Sequence, residues 1–216
     1  MLYVYAFVSA PASLPDVSGV GGSPLGARRI DVLDAVVSEH DRPVDTSETA
    51  VLEHARVVEA LAGANEGVLP ARFGGMHADE AALAAAVAGR GELVEALGRV
   101  RGCVELGLRV LGGAGSQVSA ATGAEYMRAR LERRRKLERL ADELHVPLAA
   151  LARDSTLALG TTPRLLLTAA YLVPRGDVEA FGETVASLQA AHPELGIVCT
   201  GPWPPYSFAI AAEERS

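Results

Sequence analysis

In the second half of the chain, apolar residues recur at strand spacing in some segments and at helix spacing in others. The order of these segments restricts the fold more than any other feature of the sequence. From Val104 to Val110 apolar residues alternate with polar residues or glycine, the pattern of a half-buried strand. Five further segments have the apolar pattern of a helix or a strand, over residues 123–144, 155–159, 164–173, 177–191 and 196–200. The resulting order, βαββαβ, predicts a ferredoxin-like domain. We expect Pro147 to break or bend the long helix of this domain.

The first half predicts a looser arrangement of a sheet with helices. Residues 3–8 are mostly aromatic or β-branched and are apolar on both faces, which favours a strand in the middle of a sheet. Residues 29–39 indicate either one bent strand or two short strands. The fold class is therefore α+β with two domains, an N-terminal domain over residues 1–101 and a ferredoxin-like domain over 102–216. The second domain is expected to include a proline-rich aromatic motif and a short mobile tail.

A helix is predicted to begin after Ser47, which is a favourable N-cap with Glu48 in the first turn. Four residues recur at helical spacing and should form its buried stripe, namely Val51, Ala55, Val58 and Ala62. His54 lies at the margin of this stripe. We interpret His54 as a partly buried structural histidine, because no nucleophile lies at a catalytic motif spacing from it.

Charge and cysteine content exclude several classes of function. The 216 residues carry a net charge of -7, whereas proteins that bind phosphate backbones usually have a basic surplus. The two cysteines and five histidines show no metal-ligand spacing, so we predict no metal and no cofactor. No apolar run approaches the ~18 residues of a membrane span, and no basic residue precedes the apolar N-terminus. We therefore predict a cytoplasmic protein, monomeric on its own, that contacts neither nucleic acid nor membrane.

The segment from Thr200 to Phe208 is the most distinctive part of the sequence. Its three prolines fix φ and remove N–H donors, so it is expected to form a rigid turn or polyproline-II structure rather than a helix or a central strand. Its aromatic residues allow two interpretations, which are compatible: they seal a core, or they dock a protein partner. These interpretations concern the aromatic residues together with the two prolines between them, namely Trp203, Pro204, Pro205, Tyr206 and Phe208.

A run of basic residues lies in the predicted long helix. Arg128, Arg135 and Arg139 share one face with Glu132, away from the side that carries Met127, Leu131, Ala141 and Leu144. One interpretation is a solvated face with ion pairs one helical turn apart. The alternative is an electrostatic contact for an acidic partner.

Several motifs together resemble the GvpF/GvpL family of gas vesicle proteins over nearly the whole chain. The resemblance rests on residues 3–7, on 52–58 around His54, on 68–74 with Arg72 and Phe73, on 123–127 with Tyr126, on 170–173 and above all on 201–208. Departures are small, since Gly75 stands where threonine is usual and Met127 where leucine is usual. We expect structural roles for both His54 and Tyr126.

The resemblance implies a role in building the gas vesicle shell. Family members are thought to associate with the hydrophobic shell protein GvpA and with other accessory Gvp proteins, and none is expected to be an enzyme. A shell subunit exposes apolar surface before assembly, and a binding partner could prevent its aggregation, as a chaperone or as a minor structural component. We expect the contact surface to include Arg72, Phe73 and the C-terminal aromatic motif, with Arg128, Arg135 and Arg139 as further candidates. The alternative is a ligand-binding regulatory module, since ferredoxin-like domains often bind metabolites.

Overall fold

The computed structural model describes residues 1–88, 91–112, 122–160, 162 and 164–209, and the chain divides into two compact units. The first unit comprises Met1–Val104 together with the segment that begins at Trp203, and the second comprises Glu105–Pro202. Each unit contains one antiparallel sheet with helices, so the fold is mixed α and β. The segment from Trp203, which we expected in the second domain, groups with the first unit. The expected mobile tail lies outside the described residues.

The first unit is built on a sheet whose central strand is the apolar N-terminal segment. The strands are Leu2–Ser9 (β1), Gly26–Ile30 (β2), Leu33–Glu39 (β3), Val68–Pro70 (β4) and Met76–His77 (β5), and the helices are Glu48–Ala64 (α1), Glu80–Val87 (α2) and Gly91–Val100 (α3). The strand order is β2-β3-β1-β4, and β5 also pairs with β1. The predicted central position of β1 is confirmed, and seven of its eight residues are buried.

Residues 29–39 form parts of two strands rather than one bent strand. Ile30 pairs with Leu33, and Asp31 in the turn between them has φ of 53°, a left-handed conformation that aspartate tolerates better than most residues. The buried carboxylate of Asp34 accepts hydrogen bonds from Arg29 Nε at 2.6 Å and from the Ala12 amide at 2.7 Å. The Arg29 hydrogen bond is the main cause of a lowered pKa for Asp34.

Helix α1 begins as predicted, but a different stripe of it is buried. The Ser47 hydroxyl accepts a hydrogen bond from the Ala50 amide, which confirms the N-cap. The buried residues are Ala50, His54, Val57, Val58 and Leu61, whereas Val51 is 42% exposed. Val58 is thus buried as predicted and Ala62 packs partly buried against the core, so the predicted stripe was wrong chiefly at Val51. Alanines occur in both helical phases of this sequence, so hydrophobicity alone did not fix the phase. His54 therefore lies in the middle of the buried face and not at its margin.

The second unit follows the predicted order of elements. Its strands are Cys103–Leu111 (β6), Asp154–Leu159 (β7), Leu165–Pro174 (β8) and Gly196–Trp203 (β9), its helices are Gly123–Ala149 (α4) and Val178–Ala191 (α5), and a short helix over Tyr206–Ala209 (α6) follows in the C-terminal segment. The sheet order is β7-β8-β6-β9. Residues from β6, α4, β8 and α5 form its core, among them Leu108, Leu144, Tyr171 and Phe181.

Two expectations about proline in this half were wrong in part. Helix α4 continues through Pro147 to Ala149, because the proline lies in the last turn and the flanking Leu144 and Leu148 are fully buried in the core. Strand β9 includes Pro202 and ends at Trp203, so the start of the proline-rich segment is a strand. Strand β9 is at the edge of its sheet, where a proline without an N–H donor is tolerated, so this part of the segment is not a central strand, as expected. The expectation that the segment forms no helix was wrong, because Tyr206 to Phe208 belong to α6.

Candidate functional site

The segment Val68–Gly74 places one half-buried and one exposed side chain beside the central strand of the first unit. Val68 and Leu69 are buried, and the Ala71 amide donates to the Tyr5 carbonyl at 2.9 Å. Phe73 is half-buried and packs against the core of this unit, whereas Arg72 is exposed. The predicted pair Arg72 and Phe73 thus divides into a side chain that faces solvent and one that packs inward.

His54 is the polar centre of this core. Its ring is 3% exposed, with Nε2 at 3.2 Å from the Ala71 carbonyl and Nδ1 at 2.9 Å from the Tyr3 hydroxyl. A carbonyl only accepts, so Nε2 carries the hydrogen and Nδ1 accepts from Tyr3. Burial lowers the pKa of His54, and the hydrogen bond to Ala71 opposes this effect only in part. This geometry requires a neutral imidazole, which suits a fixed structural group.

Aromatic rings surround His54 at contact distance. The Phe73 and Tyr3 rings approach its imidazole edge-on with centroids at 5.7 and 5.6 Å, and the Tyr5 ring stacks on it at 5.5 Å. The Tyr3 hydroxyl also accepts from the Gly74 amide at 3.3 Å, and burial raises the pKa of Tyr3 to about 12. The 68–74 motif is therefore tied through both Ala71 and Gly74 to the polar groups of the core.

Sequence analysis missed a second polar network in the same unit. The Tyr5 hydroxyl accepts from the Val20 amide at 2.7 Å and lies 2.8 Å from the Ser38 hydroxyl, which in turn lies 2.8 Å from Nε2 of His40. A signal for it was present, because two tyrosines two residues apart on an apolar strand face the same side and each needs a polar partner.

Part of the C-terminal motif closes the core of the first unit. Pro204, Pro205 and Phe208 are buried, and α6 contacts both β4 and α3. Tyr206 packs against the same core as Phe73, and burial, with smaller contributions from Glu59 and Tyr3, raises its pKa to about 12. These contacts agree with the interpretation that the motif seals a core.

Among the three aromatic residues of this motif, Trp203 is the exposed one. Its side chain is 46% exposed, although it directly precedes the two buried prolines. Trp203 is thus accessible to a partner, whereas Phe208 is buried. Of the predicted contact residues, the structure gathers Arg72, Phe73, Trp203 and Tyr206 in the first unit.

The predicted arginine face belongs to the second unit. Arg128, Arg135 and Arg139 are all exposed on α4. Tyr126, to which we assigned a structural role, is 51% exposed, near a helix start that Thr122 and Glu125 cap reciprocally. Ala141 and Leu144 are buried as expected. Met127 and Leu131, predicted on the same apolar side, are 52% and 53% exposed.

Within the described ranges, no group of three or more His, Cys, Asp or Glu side chains is arranged to hold a metal ion. No helix in the same part of the chain combines the length and apolarity needed to cross a membrane.

Fold and site together define a mixed α/β protein with two antiparallel sheets, and crystal structures with the same fold are known. The gas vesicle protein GvpF from Anabaena sp. superposes with a TM-score of 0.77 at 19% identity, covering 96% of this chain and 95% of that one. GvpF from Microcystis aeruginosa gives a TM-score of 0.77 at 18% identity, covering 96% of this chain and 98% of that one.

The chain belongs to the GvpL/GvpF family of gas vesicle synthesis proteins, because the family model matches residues 1–210. Among curated relatives, gas vesicle protein F2 of Halobacterium salinarum is 30% identical over 99% of this chain and 95% of its own length. Gas vesicle protein L of a Streptomyces species is 32% identical over 98% of this chain and 94% of its own length. The family resemblance stated from the sequence is thus confirmed.

Proposed function

We propose that this protein is an accessory factor for gas vesicle formation that binds the hydrophobic shell protein GvpA, as a chaperone or a minor structural component. In this proposal it acts by protein contact and not by catalysis, in the cytoplasm and at the gas vesicle, where other accessory Gvp proteins are further partners. Family membership supports the role in gas vesicle formation. The contact with GvpA is the finer part of the proposal and rests on the exposed surface of the first unit.

The observation that carries the contact is the position of Trp203. Its large aromatic side chain is 46% exposed. The two buried prolines that follow it restrict the backbone and so hold this side chain at the surface. Such a side chain loses little conformational entropy on binding, and tryptophan is enriched among residues that dominate interfaces. We therefore infer that Trp203 contributes the main apolar contact and that Arg72, which belongs to the same unit, contributes a charged contact.

The second unit is proposed to be a ferredoxin-like domain. The order of its elements, βαββαβ, and its sheet order β7-β8-β6-β9 support this description. Its role in the proposal is to carry the charged helix α4.

The experiment is capture of purified GvpA-type shell protein, kept soluble in mild detergent, by the wild-type chain and by a Trp203→Ala variant. Val198→Ala is a matched control, because Val198 lies on the same strand β9 and is 44% exposed. We expect Trp203→Ala to reduce binding about tenfold or more. The control should bind within a factor of about two, and both variants should keep the wild-type circular dichroism spectrum.

Two other outcomes would contradict the proposal, one in its choice of Trp203 and the other in the function itself. Equal binding by wild type and Trp203→Ala would exclude Trp203 from the contact while leaving the shell-protein role in place. Failure of the wild-type chain both to bind the shell protein and to delay its aggregation on detergent removal would refute the proposed function.

A further inference from the structure

Helix α4 carries one face along its length that the described part of the chain covers only near the C-terminus of the helix. Near its C-terminus Ala141, Leu144 and Leu148 are buried against the sheet of the second unit. Tyr126, Arg130, Arg133 and Leu137 lie on the same face further towards the N-terminus, because their spacings bring them within about 60° of the direction of Leu144. Among the described residues this part of the face is exposed or half-buried.

A groove of about 840 Å³ lies along this face, between α4 and a wall formed by Leu159, Gly160, Thr162 and Leu166. Four half-buried leucines line it, namely Leu137, Leu140, Leu159 and Leu166. Four cationic residues also line it, namely Arg130, Arg133, Arg134 and Lys136. The groove thus combines an apolar lining with a dense positive charge, and both come from the second unit alone.

The positive charge of this groove is largely unneutralised. Arg134 pairs with Glu138 at 2.8 Å, but Arg130, Arg133 and Lys136 have no carboxylate partner within 4.0 Å in the described part of the chain. Residues 122–140 contain seven arginines and lysines against three glutamates, whereas the whole chain has a net charge of -7. A local excess of one sign in a protein of the opposite sign favours a partner with complementary charge.

We propose that this groove binds an acidic amphipathic helix of a partner protein. The stretch of α4 from Tyr126 to Leu140 spans about 21 Å, enough for roughly four turns of a docked helix. Leucine-sized side chains of one helical face would enter the apolar lining, and glutamates or aspartates flanking them would pair with the arginines. This surface is independent of the Trp203 contact in the proposed function.

The lining favours a helix over nucleic acid. Binding of single-stranded nucleic acid relies on several aromatic rings that stack on bases, and Tyr126 is the one aromatic residue among those described as lining the groove. Four leucines between the cations would contact phosphates poorly but match an aliphatic stripe well.

The experiment is fluorescence anisotropy with the full chain and a labelled synthetic peptide of about 18 residues, with leucines along one helical face and glutamates beside them. The double variant Arg130→Glu/Arg133→Glu should bind at least about tenfold more weakly than the wild type. The matched control Arg128→Glu/Arg135→Glu changes the same charge on the opposite face of the helix and should stay within about threefold.

A second pair of variants tests the apolar lining without changing charge. Leu137→Asn should weaken binding about fivefold, whereas Leu131→Asn, at a residue that is 53% exposed and does not line the groove, should have no effect. A scrambled peptide with the same charge but no apolar stripe should bind about tenfold more weakly than the designed peptide.

Three outcomes would overturn the proposal. One is no binding of the designed peptide by the wild-type chain. Another is equal weakening by the two double variants, which would show attraction to net charge rather than to the groove. The third is preferential binding of a single-stranded oligonucleotide or of anionic vesicles by the same residues, which would assign the groove to a different class of partner.

Discussion

In each unit a buried tyrosine on a strand is hydrogen-bonded to a histidine on a helix, but the two histidines differ in how deeply they are buried. Tyr3 on β1 meets His54 on α1, and Tyr171 on β8 meets His145 on α4, both with the hydroxyl 2.9 Å from Nδ1. An aromatic ring packs against each tyrosine, Phe73 in the first unit and Phe181 in the second. Both tyrosines are fully buried.

The histidines account for the difference between the pairs. His54 is buried and its second nitrogen bonds the Ala71 carbonyl, so every polar atom of the ring has a partner inside the protein. His145 is half-buried, and within the described part of the chain its second nitrogen has no hydrogen-bond partner. The two hydrogen bonds have the same length, but their removal should cost different amounts of stability, because water can replace the lost contacts only at His145.

The largest expected effect is the loss of stability on replacing each histidine by leucine. His54→Leu leaves the Ala71 carbonyl and the Tyr3 hydroxyl without their buried partner, so we expect about 3 kcal/mol of lost unfolding free energy. His145→Leu should cost about 1 kcal/mol, because solvent can reach the site. Urea unfolding followed by circular dichroism measures both, with Trp203 fluorescence as a separate probe of the first unit. Equal losses would contradict the distinction between the pairs.

Removal of the tyrosine hydroxyls should produce the next largest effect. Tyr3→Phe leaves both Nδ1 of His54 and the Gly74 amide without a partner, and we expect a loss of about 2 kcal/mol. Tyr171→Phe removes the bond to a half-exposed histidine and should cost about 1 kcal/mol. The same urea titration applies, and the double variant Tyr3→Phe/His54→Leu should lose less than the sum of the two single losses. Full additivity would mean that the Tyr3–His54 bond contributes nothing.

Much of this arrangement could be predicted from local sequence. Ser47 specified the start of α1, the apolar faces of residues 3–8 specified a central strand, and the change of period specified the order of elements in the second unit. In each case the signal depends on a few neighbouring residues, and tertiary contacts agree with the local preference.

The contact residues were harder to predict because they depend on which parts of the chain meet. Nothing local indicates that Phe208 belongs with the first unit, since a proline-rich aromatic segment is equally suited to a surface or to a core. The burial of His54 at the centre of its helix face depends on Tyr3, fifty-one residues earlier, and on Ala71. Met127 and Leu131 are exposed because, at about 100° per residue, they point about 100° and 140° away from Leu144, so they do not share the face that packs on the sheet.

The smallest expected effect is a dependence of stability on pH that His54 contributes. Burial lowers the pKa of His54 in the folded state, so the unfolded chain takes up a proton near pH 6.5 while the folded chain does not. The stabilisation is complete above pH 6.5, is lost progressively as the pH falls, and levels off below the folded pKa. Between pH 7 and pH 6 the loss from one such group is at most about 0.7 kcal/mol. His40, whose pKa burial also lowers, contributes with the same sign.

Urea titrations at several pH values separate the two histidines. The wild-type unfolding free energy should fall between pH 7 and pH 5.5, and His54→Leu should fall less steeply because one proton-binding group of the unfolded state is absent. The contribution of His40 remains in that variant and accounts for the residual slope. An identical slope in wild type and His54→Leu would mean that His54 titrates alike in the folded and unfolded states. That result would contradict the conclusion that the Tyr3–His54 pair, unlike the Tyr171–His145 pair, is shielded from solvent.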